Sequence, residues 1–285
     1  MTSNTRMSTR LTRIALCQMT AVYDKEVNIN VVKDMICQAS RMKADMVFLP
    51  ESCDFIPENP GSVLAKAESI LNGSTIMAYR RLAANYKVWL SVGGIHEKVY
   101  KTHLIIDNMG TIVQTYRKLH VKQTHYVAKG SHIVTPVNTS VGKVGLGISY
   151  DVKFPDQSAH LAMLGAEILT FPSAFRRDTE AAHWKSLLCA RAIDNQCFVV
   201  AAAQAGRNNR YRESNGHSMV VDPWGVILAD CGNESPCVRV ININLEFLHH
   251  VRHHFSNIMD RRVAIVGQIL QKFLERTVMI MIKQK

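Results

Sequence analysis

Along nearly the whole chain, short apolar runs closed by proline, glycine or a polar residue alternate with stretches of helical periodicity. Regular exchange of those two patterns implies a layered α/β fold. Residues 13–19 read as a strand and 26–42 as an amphipathic helix, with Val31, Met35 and Ile36 at helical spacing. Met46-Val47-Phe48-Leu49-Pro50 has the unbroken apolar character of a strand covered on both faces. A helix over 74–86 and a strand over 88–93 follow. The runs 102–106 and 111–116 flank Asp107-Asn108-Met109-Gly110 and predict a hairpin.

The second half repeats the alternation. Residues 144–149 predict a strand, 157–164 a helix, 168–171 a strand, 178–194 a long helix and 197–204 a strand. The runs 218–221 and 226–229 pair around Asp222-Pro223-Trp224-Gly225, and 238–243 closes the series. No linker or composition shift divides the 285 residues, so the expectation is one domain of α–β layers around mixed sheets. It spans 13–255, after a basic, disordered 1–12 and before an atypical tail, 256–285. Within the tail, 263–282 reads as an amphipathic basic helix, docked on the domain or on a second subunit. A membrane-surface helix is the alternative there.

Function classes narrow next. The longest unbroken apolar candidate in the tail, 278–282, is far short of the roughly 20 residues that cross a bilayer. The net charge of +11 raises nucleic acid as a partner, but the basic residues are scattered and no aromatic interleaving supplies a stacking surface. Steering of a small anionic substrate accounts for the same charge. Seven cysteines, odd in number and without a C-x-x-C pair, fit reduced thiols in a cytoplasmic interior. Arg6, Arg10 and Arg13 without an acid are also compatible with a mitochondrial import leader.

Three candidate site residues follow predicted strands, where open α/β sheets place their ligands. Glu51 follows the apolar run 46–50; desolvation there is expected to lift its pKa and suit it to general-base work, although position alone equally allows a surface glutamate. Lys118, in Tyr116-Arg117-Lys118-Leu119-His120, is an ammonium placed to stabilise a developing oxyanion; alone it reads more readily as a solvated charge. Ser149, in Gly147-Ile148-Ser149-Tyr150-Asp151-Val152-Lys153-Phe154-Pro155, stands where a strand turns into a helix that Pro155 can open. A nucleophile on such a turn is exposed and the following N–H groups face the oxyanion; the alternative is a helix-capping serine.

The order Glu, Lys, nucleophile resembles the nitrilase superfamily of carbon–nitrogen hydrolases, whose triad is Glu-Lys-Cys. The resemblance runs from residue 13 to about 255. It rests on Phe48-Leu49-Pro50-Glu51, the segments 116–120 and 147–155, Phe171-Pro172-Ser173-Ala174-Phe175, residues 190–196 and Gly216-His217-Ser218-Met219. Ala181-Ala182-His183-Trp184 and Val221-Asp222-Pro223-Trp224-Gly225 look most like the Nit branch. The resemblance implies a four-layer α-β-β-α sandwich, paired with a second copy across its helix layers, that hydrolyses a small linear amide such as deaminated glutathione through a covalent intermediate. By that analogy Glu51 takes the nucleophile's proton, Lys118 and the Tyr150 N–H hold the oxyanion, and Ser173 contacts substrate. It implies no cofactor and no metal.

The chain departs from that pattern in three places. Ser149 stands where the family has cysteine, and an alcohol ionises far above the about 8.5 of a thiol. An unassisted hydroxyl needs an adjacent base, and His120 and His125 carry no signal of that role. The segment 119–150 is shorter than the family's and contains no Asp or Glu, where the family carries a further active-site glutamate. The tail after Arg262 does not resemble the Nit ending. The expectation is an impaired amidase, the alternative a pseudoenzyme acting as a ligand-binding or scaffolding subunit.

Overall fold

The computed structural model describes residues 11–59, 61–122, 127–177, 181–255, 257–258 and 260–262. The expected tail helix over 263–282, His125 and nearly all of the N-terminal segment 1–12 lie outside these residues.

Two six-stranded sheets form the centre of the domain. The first is built from β1 (Thr12–Gln18), β2 (Met46–Leu49), β3 (Trp89–Glu97), β4 (Tyr100–Ile106) and β5 (Ile112–Arg117). The second takes β6 (Val137–Thr139), β7 (Gly142–Leu146), β8 (Ile168–Thr170) and β9 (Phe198–Ala201). After the separate hairpin β10 (Ala205–Asn209) and β11 (Arg212–Asn215), the second sheet is completed by β12 (Met219–Val221) and β13 (Ile227–Asp230). The chain then returns to the first sheet, where β14 (Cys237–Ile243) pairs antiparallel with β1. Each sheet has a parallel centre, β1-β2-β3 in one and β7-β8-β9 in the other, and antiparallel edges.

The helices are α1 (Lys25–Arg41), α2 (Ser62–Lys66), α3 (Ser74–Tyr86), α4 (Pro155–Met163), α5 (Ala181–Asn195) and α6 (Leu245–His254). Asp24 caps α1 by accepting from the N–H groups of Glu26 and Val27, satisfying two donors that the first turn leaves open. Pro155 opens α4, where its fixed φ costs nothing and its missing N–H is not needed.

Strand alternation sorts the apolar side chains into three cores. Ala15, Cys17, Val47 and Leu49 face α1 and α3. Their neighbours Ile14, Leu16, Met46 and Phe48 point the other way, onto Leu146, Ile168, Phe198 and Val200 of the second sheet. The outer face of that sheet buries Leu169, Val199 and Ala201 under Leu161 of α4 and Trp184 and Leu188 of α5. Helix, sheet, sheet, helix is the four-layer order that was expected. Full burial of a side chain such as Phe48 stabilises the middle layer by about 2–3 kcal/mol. The sequence reading placed most elements within a few residues but missed the β10–β11 hairpin, α2, β6 and α6.

Candidate active site

The parallel strands β2, β7 and β8 all end at the same rim, so the residues that follow them meet there. Glu51 is two residues past β2. Two glycines in β3 make its position possible: a Cβ at Gly94, whose φ is +58°, would lie 2.5 Å from Glu51 Cγ, and one at Gly93 would lie 2.0 Å from Pro172 Cβ. They coincide with a register shift between Val92 and Ile95, which opens the strand toward the second sheet.

Glu51 is 6% exposed, and its carboxylate is fully engaged. Oε1 accepts from Lys118 Nζ at 2.9 Å and Oε2 from the Ala174 N–H at 3.1 Å. The Gln204 amide donates to the Glu51 carbonyl at 3.0 Å. Lys118 lies just past β5, so this contact ties the far edge of the first sheet to its centre. Burial pushes the Glu51 carboxyl up, as the sequence suggested. The nearby cations, Lys118 foremost and then Lys101 and Arg212, override burial and hold it at about 2, so the expected rise is corrected to a fall. Lys101 Nζ donates to Ser52 Oγ at 2.5 Å. Desolvation brings that ammonium down to about 8 against the pull of Glu51 and Asp54.

Ser149 is not the end of a strand. β7 stops at Leu146, and Ser149, at φ +49°, opens a 3₁₀ helix (Ser149–Lys153). A non-glycine residue in that region is strained and has to be held. Its N–H donates to Pro172 O at 2.9 Å. Asp151 supplies the rest: Oδ2 accepts the Tyr116 hydroxyl at 2.7 Å and the Ile148 N–H at 2.9 Å, and Oδ1 accepts the His120 N–H at 3.0 Å. The His120 ring Nδ1 lies 2.8 Å from Oδ1 as well. From below, His103 Nδ1 lies 3.2 Å from the Gly147 carbonyl and Nε2 lies 2.7 Å from Ser91 Oγ. Burial drives the His103 pKa down to about 4, so the ring is neutral, with Nδ1–H as donor and Nε2 as acceptor.

The result is a cavity of about 340 Å³ that brings Glu51, Lys118, Ser149 and Tyr150 together. Ser149 was expected to be exposed; it is 4% exposed, and its hydroxyl makes no hydrogen bond among the described residues. Tyr150 is a first-turn residue, where an N–H has no intrahelical acceptor. Ser173 is fully buried and its hydroxyl donates to the Phe171 carbonyl at 2.8 Å, while the adjacent Ala174 lines the cavity. Lys101, Arg212 and the buried pair His96–Asp54, at 2.9 Å, were not recognised from sequence. Among the described residues no group of His, Cys, Asp and Glu is placed to hold a metal.

A site of this geometry has known relatives. Residues 13–253 match the carbon-nitrogen hydrolase family. Deaminated glutathione amidase of Mus musculus is 41% identical over 94% of this chain and 88% of its own. The Homo sapiens protein of the same name is 40% identical over 92% of this chain and 86% of its own. The crystal structure of the Caenorhabditis elegans NitFhit protein superposes with a TM-score of 0.85 at 40% identity, covering 89% of this chain and 66% of that one. Cavity, sandwich and similarity agree: the chain belongs to the carbon–nitrogen hydrolases of the nitrilase superfamily, on the Nit branch.

Proposed function

We propose that the cavity binds a small linear amide such as deaminated glutathione, and that Ser149 leaves the chain with amide hydrolysis orders of magnitude below what its scaffold supports. In this reading Ser149 Oγ attacks the amide carbonyl, its proton passes through Glu51 to the departing amine, and the acyl group stays on Ser149 as an ester. Glu51 then takes a proton from water as that water attacks the ester carbon; the bond from Ser149 Oγ to the acyl group breaks, Oγ takes the proton back from Glu51, and the carboxylic acid leaves. Lys118 Nζ and the Tyr150 N–H stabilise the oxyanion.

The observation that carries the reading is the 2.9 Å Glu51–Lys118 contact in one cavity with Ser149. The same contact supports the impairment. A carboxylate held at about 2 is a weak base, far better matched to a thiol near 8.5 than to an alcohol. The test is release of the free amine from deaminated glutathione, and of ammonia from short ω-amides, by the parent and by Ser149→Cys. A gain of at least about 100-fold in kcat/KM for Ser149→Cys, some 3 kcal/mol of transition-state stabilisation, is expected. Equal rates would overturn the role given to position 149.

Pairing with a second copy across the helix layers belongs to the same proposal. Trp224, 53% exposed, packs its ring 4.9 Å from that of Phe255, 50% exposed, and Ile193 lies against the adjoining Gly225. Light scattering at twice the chain mass is the expected result, and the chain mass alone would refute it.

A further inference from the structure

The amide cavity does not end at its own wall. It shares Arg176, Tyr211 and Arg212 with an adjoining groove of about 440 Å³, which adds Arg177, Arg207 and Arg210. Two chain segments build it. The stretch that holds Glu51 through the Ala174 N–H runs straight on into Arg176 and Arg177. The β10–β11 hairpin lies across it, through an isolated bridge between Arg176 and Ser214 and the Arg177 N–H on the Glu213 carbonyl at 3.2 Å. Five guanidiniums line the groove against the single carboxylate of Glu213, which Arg177 meets at 2.6 Å. Arg207 and Arg210 make no ion pair among the described residues, and Arg210 stacks on the Tyr211 ring at 4.5 Å from its centroid. Like charges gathered in a concave surface repel one another and focus the field on whatever anion enters. A guanidinium is also the group that grips a carboxylate through two parallel hydrogen bonds.

Building on the amide-binding reading above, we infer that this groove holds a carboxylate at the far end of the substrate's leaving group. The preferred substrate is then a linear amide that is negatively charged beyond the scissile bond. The spacing suits it: Ala174 and Arg177 are three residues apart, a reach of at most roughly 10 Å, enough for about two residues of leaving group. Lys118 serves the reacting carbonyl; the arginines read the other end. Arg207 and Arg210 therefore act in specificity and not in catalysis.

The parent protein's slow turnover permits direct calorimetry. Deaminated glutathione and its C-terminal carboxamide differ by one charge at the leaving-group end. The free carboxylate is expected to bind about tenfold more tightly, by an advantage that shrinks at high salt. The double variant Arg207→Gln, Arg210→Gln should lose that advantage while binding the carboxamide with parental affinity, which also shows that it is folded. Equal affinity of the parent for the two ligands, or an advantage that survives in the double variant, overturns the inference and leaves the amide reading standing. Failure of both ligands to bind the parent overturns the two together.

Discussion

The Tyr116 hydroxyl donates to Asp151 Oδ2 at 2.7 Å, and this bond joins the strand leading to Lys118 with the turn that carries Ser149. Asp151 is fully buried and spends both oxygens on groups from either side of the cavity, His120 and Tyr116 on one and Ile148 on the other. It is the first carboxylate after the acid-free segment 119–150.

Asp151→Asn keeps the shape but turns one acceptor oxygen toward these donors as an NH₂ group. A loss of about 3 kcal/mol is expected, read as a lower urea midpoint at unchanged slope. In the Ser149→Cys background, kcat should fall more than KM rises. A midpoint within error of the parent would show that the network does not hold the turn.

Gly94→Ala places a methyl 2.5 Å from Glu51 Cγ at φ +58°. The side chain or the strand has to shift, at a cost of about 1–3 kcal/mol. Glu51 should be displaced from Lys118, and amide binding measured by calorimetry should weaken. Parental affinity would show that Glu51 needs no such space.

Acid should weaken the fold through Glu51. Its carboxyl is held at about 2, below the ordinary 4.5, so its stabilising contribution is complete above pH 4.5 and is lost as pH falls toward 2. The gap in unfolding free energy between the parent and Glu51→Gln should therefore shrink over that window. A gap that is constant from pH 5 to 2.5 would contradict the ion pair with Lys118.

Lys101 predicts the opposite edge. Its ammonium is brought down to about 8 from an ordinary 10.5, so between those values the unfolded chain binds the extra proton and stability rises with pH. Lys101→Met removes that rise, which urea unfolding at pH 7.5 and 10 would detect as a smaller difference between the two conditions.

Glu51, Lys118 and Ser149 were singled out because the motifs around them resemble those of a known family; their places after strands, taken alone, left each open to an ordinary reading. The layered fold was legible because strand and helix periodicities are written in neighbouring residues. Only tertiary structure decided the rest. The fall in the Glu51 pKa depends on a lysine 67 residues away, whereas desolvation at a strand end is visible locally. Asp151 reaches Tyr116 across 35 positions and His103 reaches Gly147 across 44, and neither spacing leaves a periodic trace. Ser173 sits in the expected motif, yet beyond the end of β8 its hydroxyl bonds the Phe171 carbonyl and Ala174 lines the cavity. Local sequence determines which residues can form strands and where those strands stop; the pairing of distant strands decides which side chains share a dielectric, a proton and a wall.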